Sequence, residues 1–138
     1  MSDVPRKRRD LNMTARHTCP CCGYRTFDDI PGSYSYGLCH VCFWEDDPVQ
    51  LLDPWFAGGA NRPNLHDAQA TYATHGAMER RFLSNAKGVL TTDVRDPTWR
   101  RVQESDRTFV RAPRDLSDEE MKDLTVWYYW RRHAQKDS

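Results

Sequence analysis

The clearest hydrophobic periodicity along the chain falls at residues 64–76, where Leu65, Ala68 and Tyr72 recur at helical spacing. Asn64 precedes them as an N-cap, with Asp67 three residues on, and Gly76 supplies the stop, so the pattern predicts a helix over 65–75. A second helix is predicted from Ser117 onward in "LSDEEMKDLTVWYYWRRH". There Ser117 and Glu120 form a capping box, Leu116 and Met121 a hydrophobic staple, and Leu124 with Trp127 or Tyr128 continues the inner stripe. The run Trp127, Tyr128, Tyr129, Trp130 goes round that helix. At about 100° per residue, Trp130 falls opposite Met121 and is expected outside the core, as an anchor for a partner beside Arg131 and Arg132. Asp96 and Pro97 suggest a further helix start, carrying Trp99 and Val102 inward.

Period-two patterns are confined to the first third. "YRTF" at 24–27 is short, aromatic and β-favouring, and Tyr34, Tyr36 and Leu38 alternate in "GSYSYGL". With "IPGS" as the connecting turn, these predict a two-stranded ribbon. The stretch "EDDPVQLLDPWFAGGANRP" reads as loop. The fold class expected is α+β, a small zinc-ribbon or rubredoxin-like β-ribbon followed by helices. Its organisation would be a basic flexible arm (1–16), a cysteine-rich domain (17–77) and a helical C-terminal extension packing on it (78–138).

All five cysteines lie within that ribbon segment. Cys19 and Cys22 are separated by two residues, as are Cys39 and Cys42, with sixteen residues between the pairs, which is the spacing of a four-thiolate metal site. A C-x2-C turn folds back so that both sulfurs face one point, and two such turns complete a tetrahedron. Pro20 stiffens the first turn and Gly23 provides the positive φ needed to leave it. The second turn has His40 and Phe43 at the corresponding places. Zinc is the preferred ion, with iron suiting the same sulfurs less well in this context. Cys21 lies between two ligands. The negative site beside it disfavours a fifth thiolate, so Cys21 is read as a packing residue with its side chain turned away from the metal. His17 and His40 are read as exposed turn residues rather than ligands.

Composition and charge narrow the function. With 38% hydrophobic and 12% aromatic residues the chain has enough apolar surface to fold. No segment approaches the roughly 20 apolar residues of a membrane span, and the basic N-terminus lacks the apolar stretch of a secretory signal, so a cytoplasmic location is expected. Reducing conditions there favour a metal over disulfides. The formal net charge of zero conceals +3 over residues 1–16, −5 over 17–54 and +2 over the remainder. An acidic ribbon repels phosphate backbones, which leaves nucleic-acid binding to the arm "RKRR" at 6–9 and the arginines of the C-terminal tail.

From "CPCCGY" through "GSYSYGLCHVCFWEDDPVQL" to "GGANRPNLHDAQATYATHGA", residues 19–77, the sequence resembles the bacterial cysteine-rich CPCC family. The resemblance implies a small domain named for its cysteine motif and supports the ribbon and metal expectations; it brings no activity with it. The residues after Ala77 lie outside the shared motifs.

Three functional classes are open to such a chain. The favoured one is a metal-stapled protein-interaction or regulatory module whose partner is another protein. The second is a nucleic-acid-binding zinc ribbon. The third is a hydrolase-type enzyme using the acidic loop Glu45, Asp46, Asp47 and Asp53 with His66 and Asp67, a set able to hold a hard cation or to act as acid and base. Four thiolates close a zinc site and leave no position for water or substrate, which counts against catalysis at the metal.

Overall fold

The computed structural model describes residues 16–28 and 37–131. Strand β1 (His17–Thr18) runs antiparallel to β2 (Arg25–Phe27), helix α1 spans Pro48–Leu52 and helix α2 spans Leu65–His75. The chain after α2 is extended or turned into short 3₁₀ segments, at Arg80–Phe82, Glu104–Phe109, Pro113–Asp115, Glu120–Lys122 and Leu124–Trp127. The architecture is a two-stranded sheet with a few helices, α+β in class.

The ribbon contains a pairing that the sequence pattern does not predict. Strand β2 forms over "RTF" as predicted, and among the described residues it pairs with β1, so a hairpin closes across the first cysteine pair. Leu38 pairs with Glu45 in an isolated bridge across the second cysteine pair. Tyr34, Tyr36 and the "IPGS" turn lie outside the described residues, as do the "RKRR" arm and Arg132.

Helix α2 has the predicted bounds. Asn64 Oδ1 accepts from the Asp67 N–H at 2.7 Å, and Gly76 closes the helix in the left-handed region at φ 93°. Leu65, Ala68 and Gln69 are buried and Tyr72 is half-buried. Helix α1 interrupts the segment expected to be loop. Asp47 is its N-cap, accepting from Val49 and Gln50, and Pro48 takes the first-turn place where a missing N–H costs nothing. Leu51 and Leu52 enter the core.

The connection from α1 to α2 is held by a wholly buried amide. Gln50 Nε2 faces the carbonyls of Phe56, Asn61 and Pro63, and its Oε1 accepts from the Asn61 N–H and side-chain amide. Buried polar groups persist only when so satisfied.

The two later helix expectations need correction. At Asp96–Pro97 there is a single turn, with Trp99 N–H donating to the Asp96 carbonyl at 3.1 Å, after which the chain is extended; Val102 is buried and Trp99 half-buried without a helix. In the final segment the capping box forms, with Glu120 N–H on Ser117 Oγ at 3.1 Å and Ser117 N–H on Glu120 Oε1 at 2.8 Å. It opens only one 3₁₀ turn, Glu120–Lys122. Asp123 is extended (φ −144°, ψ 91°) and starts a new cap, its carboxylate accepting from the Thr125 N–H and hydroxyl; Tyr128 (φ −53°, ψ 125°) breaks the chain again. Each break resets the helical phase, so counting 100° per residue from Met121 misplaces Trp130. Its ring is 3% exposed, stacked on Tyr128 at 4.2 Å and edge-on to Tyr129 at 4.9 Å.

One core gathers both ends of the described chain: the cysteines, Phe27, Val41 and Trp44 meet Leu51, Leu52, Leu65, Met78 and the closing Leu124, Tyr128, Tyr129 and Trp130.

Candidate metal centre

The two cysteine pairs sit on turns of the same construction, offset by twenty positions. In the first, Cys19 N–H donates to the Tyr24 carbonyl at 2.9 Å and Gly23 N–H to the Cys19 carbonyl at 2.9 Å. In the second, Cys39 N–H donates to Trp44 at 2.9 Å and Phe43 N–H to Cys39 at 2.7 Å. Short pairings flank both, Thr18 with Arg25 and Leu38 with Glu45. Both turns exit through a positive φ, 85° at Gly23 and 72° at Phe43. The first is the conformation that glycine adopts freely; the second is held against steric cost in a residue with a large side chain.

The turns face one another and bring Cys19, Cys22, Cys39 and Cys42 together. All four are buried, their sulfurs lie within 4.8 Å of one another, and the Cys19–Cys42 and Cys22–Cys39 separations are 3.7 and 3.6 Å. Metal–sulfur bonds of about 2.3 Å in a tetrahedron require sulfur–sulfur edges of about 3.8 Å, so the donor set fits a tetrahedral thiolate-bound ion. Among the described residues these four form the one cluster of metal-ligating side chains compact enough to hold an ion. Cys21 is also fully buried and stands outside it.

The electrostatics of the site are uneven. Burial pushes the thiols of Cys19, Cys22 and Cys42 above their ordinary value. Burial acts in the same sense on Cys39, but donation from the neighbouring thiols and from the Thr26 hydroxyl, 3.0 Å from its sulfur, outweighs it and holds that thiol below its ordinary value. Thr26 carries no signal of this role in the sequence; its place in β2, one residue beyond Arg25, is what aims the hydroxyl at the site.

The segments C-terminal to the cysteines close over both turns. The Pro20 carbonyl accepts from Gln69 Nε2 at 2.9 Å and Trp99 Nε1 at 3.0 Å, and the Gly23 carbonyl from Asp96 N–H at 2.9 Å. On the second turn the Cys42 carbonyl accepts from Met78 N–H at 2.8 Å and the His40 carbonyl from Lys87 N–H at 2.7 Å. Gln69 does more: its Nε2 also donates to Tyr129 Oη at 2.8 Å and its Oε1 accepts from Val102 N–H at 2.9 Å. Tyr128 Oη donates to the Thr18 carbonyl at 3.2 Å, and buried Asp96 accepts from Thr18 Oγ1 at 2.7 Å.

Neither histidine beside the cysteines is a free exposed residue. His40 is half-buried and its Nε2 lies 2.9 Å from the Asp93 carboxylate, and His17 is half-buried in β1. Two carboxylates of the acidic loop are committed to backbone. Asp47 caps α1 and also accepts from Ala60 N–H at 2.7 Å, Asp53 accepts from Trp55 N–H at 3.0 Å, and Asp67 lies on the surface beside His66. Asp46 is buried, and Glu45, half-buried, is raised from its ordinary value by burial and by Asp47.

Facing knuckle turns with four converging thiols define a small cysteine-rich, metal-binding class of domain. The profile of the cysteine-rich CPCC family matches residues 17–93, more than half of the sequence, and the chain belongs to that family. No curated protein matches it. Among the described residues no helix is long and apolar enough to cross a membrane.

Proposed function

We propose that Cys19, Cys22, Cys39 and Cys42 hold one zinc ion in a closed structural site, and that the chain is a zinc-stapled protein-interaction or regulatory module of the cytoplasm. The observation that carries this reading is the burial of all four sulfurs within 4.8 Å of one another, which fills a tetrahedron and leaves no ligand position open. When bound, the ion supplies cross-linking rather than reaction chemistry. The protein holds the sulfurs with two knuckle turns, lowers Cys39 through Thr26, and excludes water with Trp44, Met78 and the closing aromatic residues. Iron in the same sulfurs is the alternative ion.

A protein partner is favoured over nucleic acid because the cysteine-rich segment carries −5 before any metal is counted. It is favoured over a hydrolase because Asp47 and Asp53 are already engaged by backbone N–H groups. The reading is tested by metal analysis of purified chain and its variants. One zinc per chain is expected, lost with folding in Cys19→Ser, Cys22→Ser, Cys39→Ser and Cys42→Ser and kept in Cys21→Ser. A folded, metal-free wild type overturns it.

A further inference from the structure

A cleft of about 310 Å³ opens beside the first knuckle, between Tyr24, the second half of α2 and the segment 95–101. Trp99 forms one wall and is fixed there. Its Nε1 is bonded to Pro20, and its ring lies so close to Gly23 that a Cβ at that position would stand 2.7 Å from it. Tyr24 and Tyr72, both half-buried, line the cleft with Cys22, and Arg95 and Arg101 stand exposed at its edge. Arg95 sits over the Trp99 ring at 5.6 Å.

Apart from the contact of Arg95 with the Trp99 ring, the polar ends of these side chains are open to a partner. Arg25, Arg100 and Arg131 each approach a buried carboxylate, whereas among the described residues Arg95 and Arg101 meet no carboxylate and the Tyr24 and Tyr72 hydroxyls no hydrogen-bond partner. Three rings, two guanidiniums without a carboxylate and two open hydroxyls around one opening have the composition of an interface hot spot. The volume is at the low end for ligand sites, the space of one large side chain rather than of an extended ligand.

We propose that this cleft is the partner-docking site of the module, and that it takes an aromatic side chain of a partner protein flanked by Asp or Glu. The ring enters between Trp99 and the tyrosines, and the flanking carboxylate meets Arg95, Arg101 and the hydroxyls. This rests on the reading of the chain as a protein-interaction module. A nucleotide would offer a ring and an anion too. A single carboxylate suits the place better than a nucleic acid, since Cys22 of the cleft wall belongs to the acidic segment of net charge −5, which opposes a strand carrying one charge per nucleotide more than one flanking carboxylate.

The test uses the full, zinc-loaded chain against a displayed library of random linear peptides, with a fluorescein-labelled oligothymidylate as the nucleic-acid arm and zinc content read on every protein. Enrichment of peptides with an aromatic residue next to Asp or Glu is expected. Their affinity should fall at least tenfold both on changing that residue to Ala and in the Arg95→Glu, Arg101→Glu double variant. Arg101→Glu alone, which leaves the Arg95–Trp99 contact in place, should lose part of it. The proposal is overturned if no peptide is enriched, if enriched peptides bind the charge-reversed chain equally well, or if oligothymidylate is the arginine-dependent ligand. A wild type that binds such peptides without zinc overturns the metal reading and keeps the cleft; a zinc-loaded wild type without arginine-dependent peptide binding does the reverse.

Discussion

Phe43 occupies in the second knuckle the place that Gly23 occupies in the first, with φ of 72° against 85° and the same N–H bond back to the leading cysteine. The two positions tolerate opposite changes. At Gly23 an alanine meets both an unfavourable φ and the Trp99 ring, so Gly23→Ala should cost about 2 kcal/mol or more. At position 43 the ring, 4.9 Å from Phe82, offsets the backbone strain. Phe43→Ala loses the ring and keeps the strain, whereas Phe43→Gly loses both. Urea midpoints should therefore rank wild type above or level with Phe43→Gly, and Phe43→Gly above Phe43→Ala by about 1 kcal/mol. An Ala variant more stable than the Gly variant contradicts this.

Trp130→Ala should lower stability by roughly 3 kcal/mol, the range for truncating a large buried aromatic, because its ring is stacked on Tyr128 and crossed by Tyr129. Thermal melts followed by circular dichroism check it; an unchanged midpoint would return the ring to the surface.

Gln69→Leu should cost about 2–4 kcal/mol. The Pro20 carbonyl keeps Trp99 as a donor, but the Val102 N–H is left buried with no acceptor. Hydrogen exchange should quicken at Val102 first. An unaffected Val102 amide would show that the bond is not the one that matters.

On acidification, metal loss and unfolding should coincide and precede the titration of Asp96. Burial opposes ionisation of Asp96, yet bonds from Thr98 and Thr18 hold its carboxyl below the usual range, so its contribution is present above that range and lost only as pH falls through the depressed value. Burial favours the protonated form of three of the four thiols, so protons compete with a metal for those sulfurs as pH falls. Simultaneous monitoring of released zinc with a chromogenic chelator and of tryptophan fluorescence would expose any separation of the two events.

The four metal-ligand candidates and α2 were legible because their signals are local: a C-x2-C turn, an Asn cap and a Gly stop each act within a few residues. The features that were missed depend on partners far along the chain. The phase of Trp130 is set by breaks at Asp123 and Tyr128 that only tertiary packing enforces, and β2 pairs with His17–Thr18 because the knuckle turn delivers them to it. Gln50 and Gln69 carry no periodic signature, since a buried amide looks like a surface one until its acceptors are known. Helix α1 was within reach: Asp47–Pro48 is a cap followed by a first-turn proline, masked by the prolines and glycines after it.

The bonds of Gln69 to Pro20, Val102 and Tyr129, and of Tyr128 to Thr18, join positions 33 to 110 residues apart. During synthesis from the N-terminus all four metal-site thiols precede by 86 residues or more the tyrosines that cover them, Tyr128 and Tyr129. The growing polypeptide thus presents an open thiol cluster to its surroundings until Tyr128 and Tyr129 have followed, and the cover closes after the cluster has formed. Capture of an ion by those thiols would be separable in time from burial of the site, and the interval between the two is when a competing soft metal or an oxidant would reach the sulfurs.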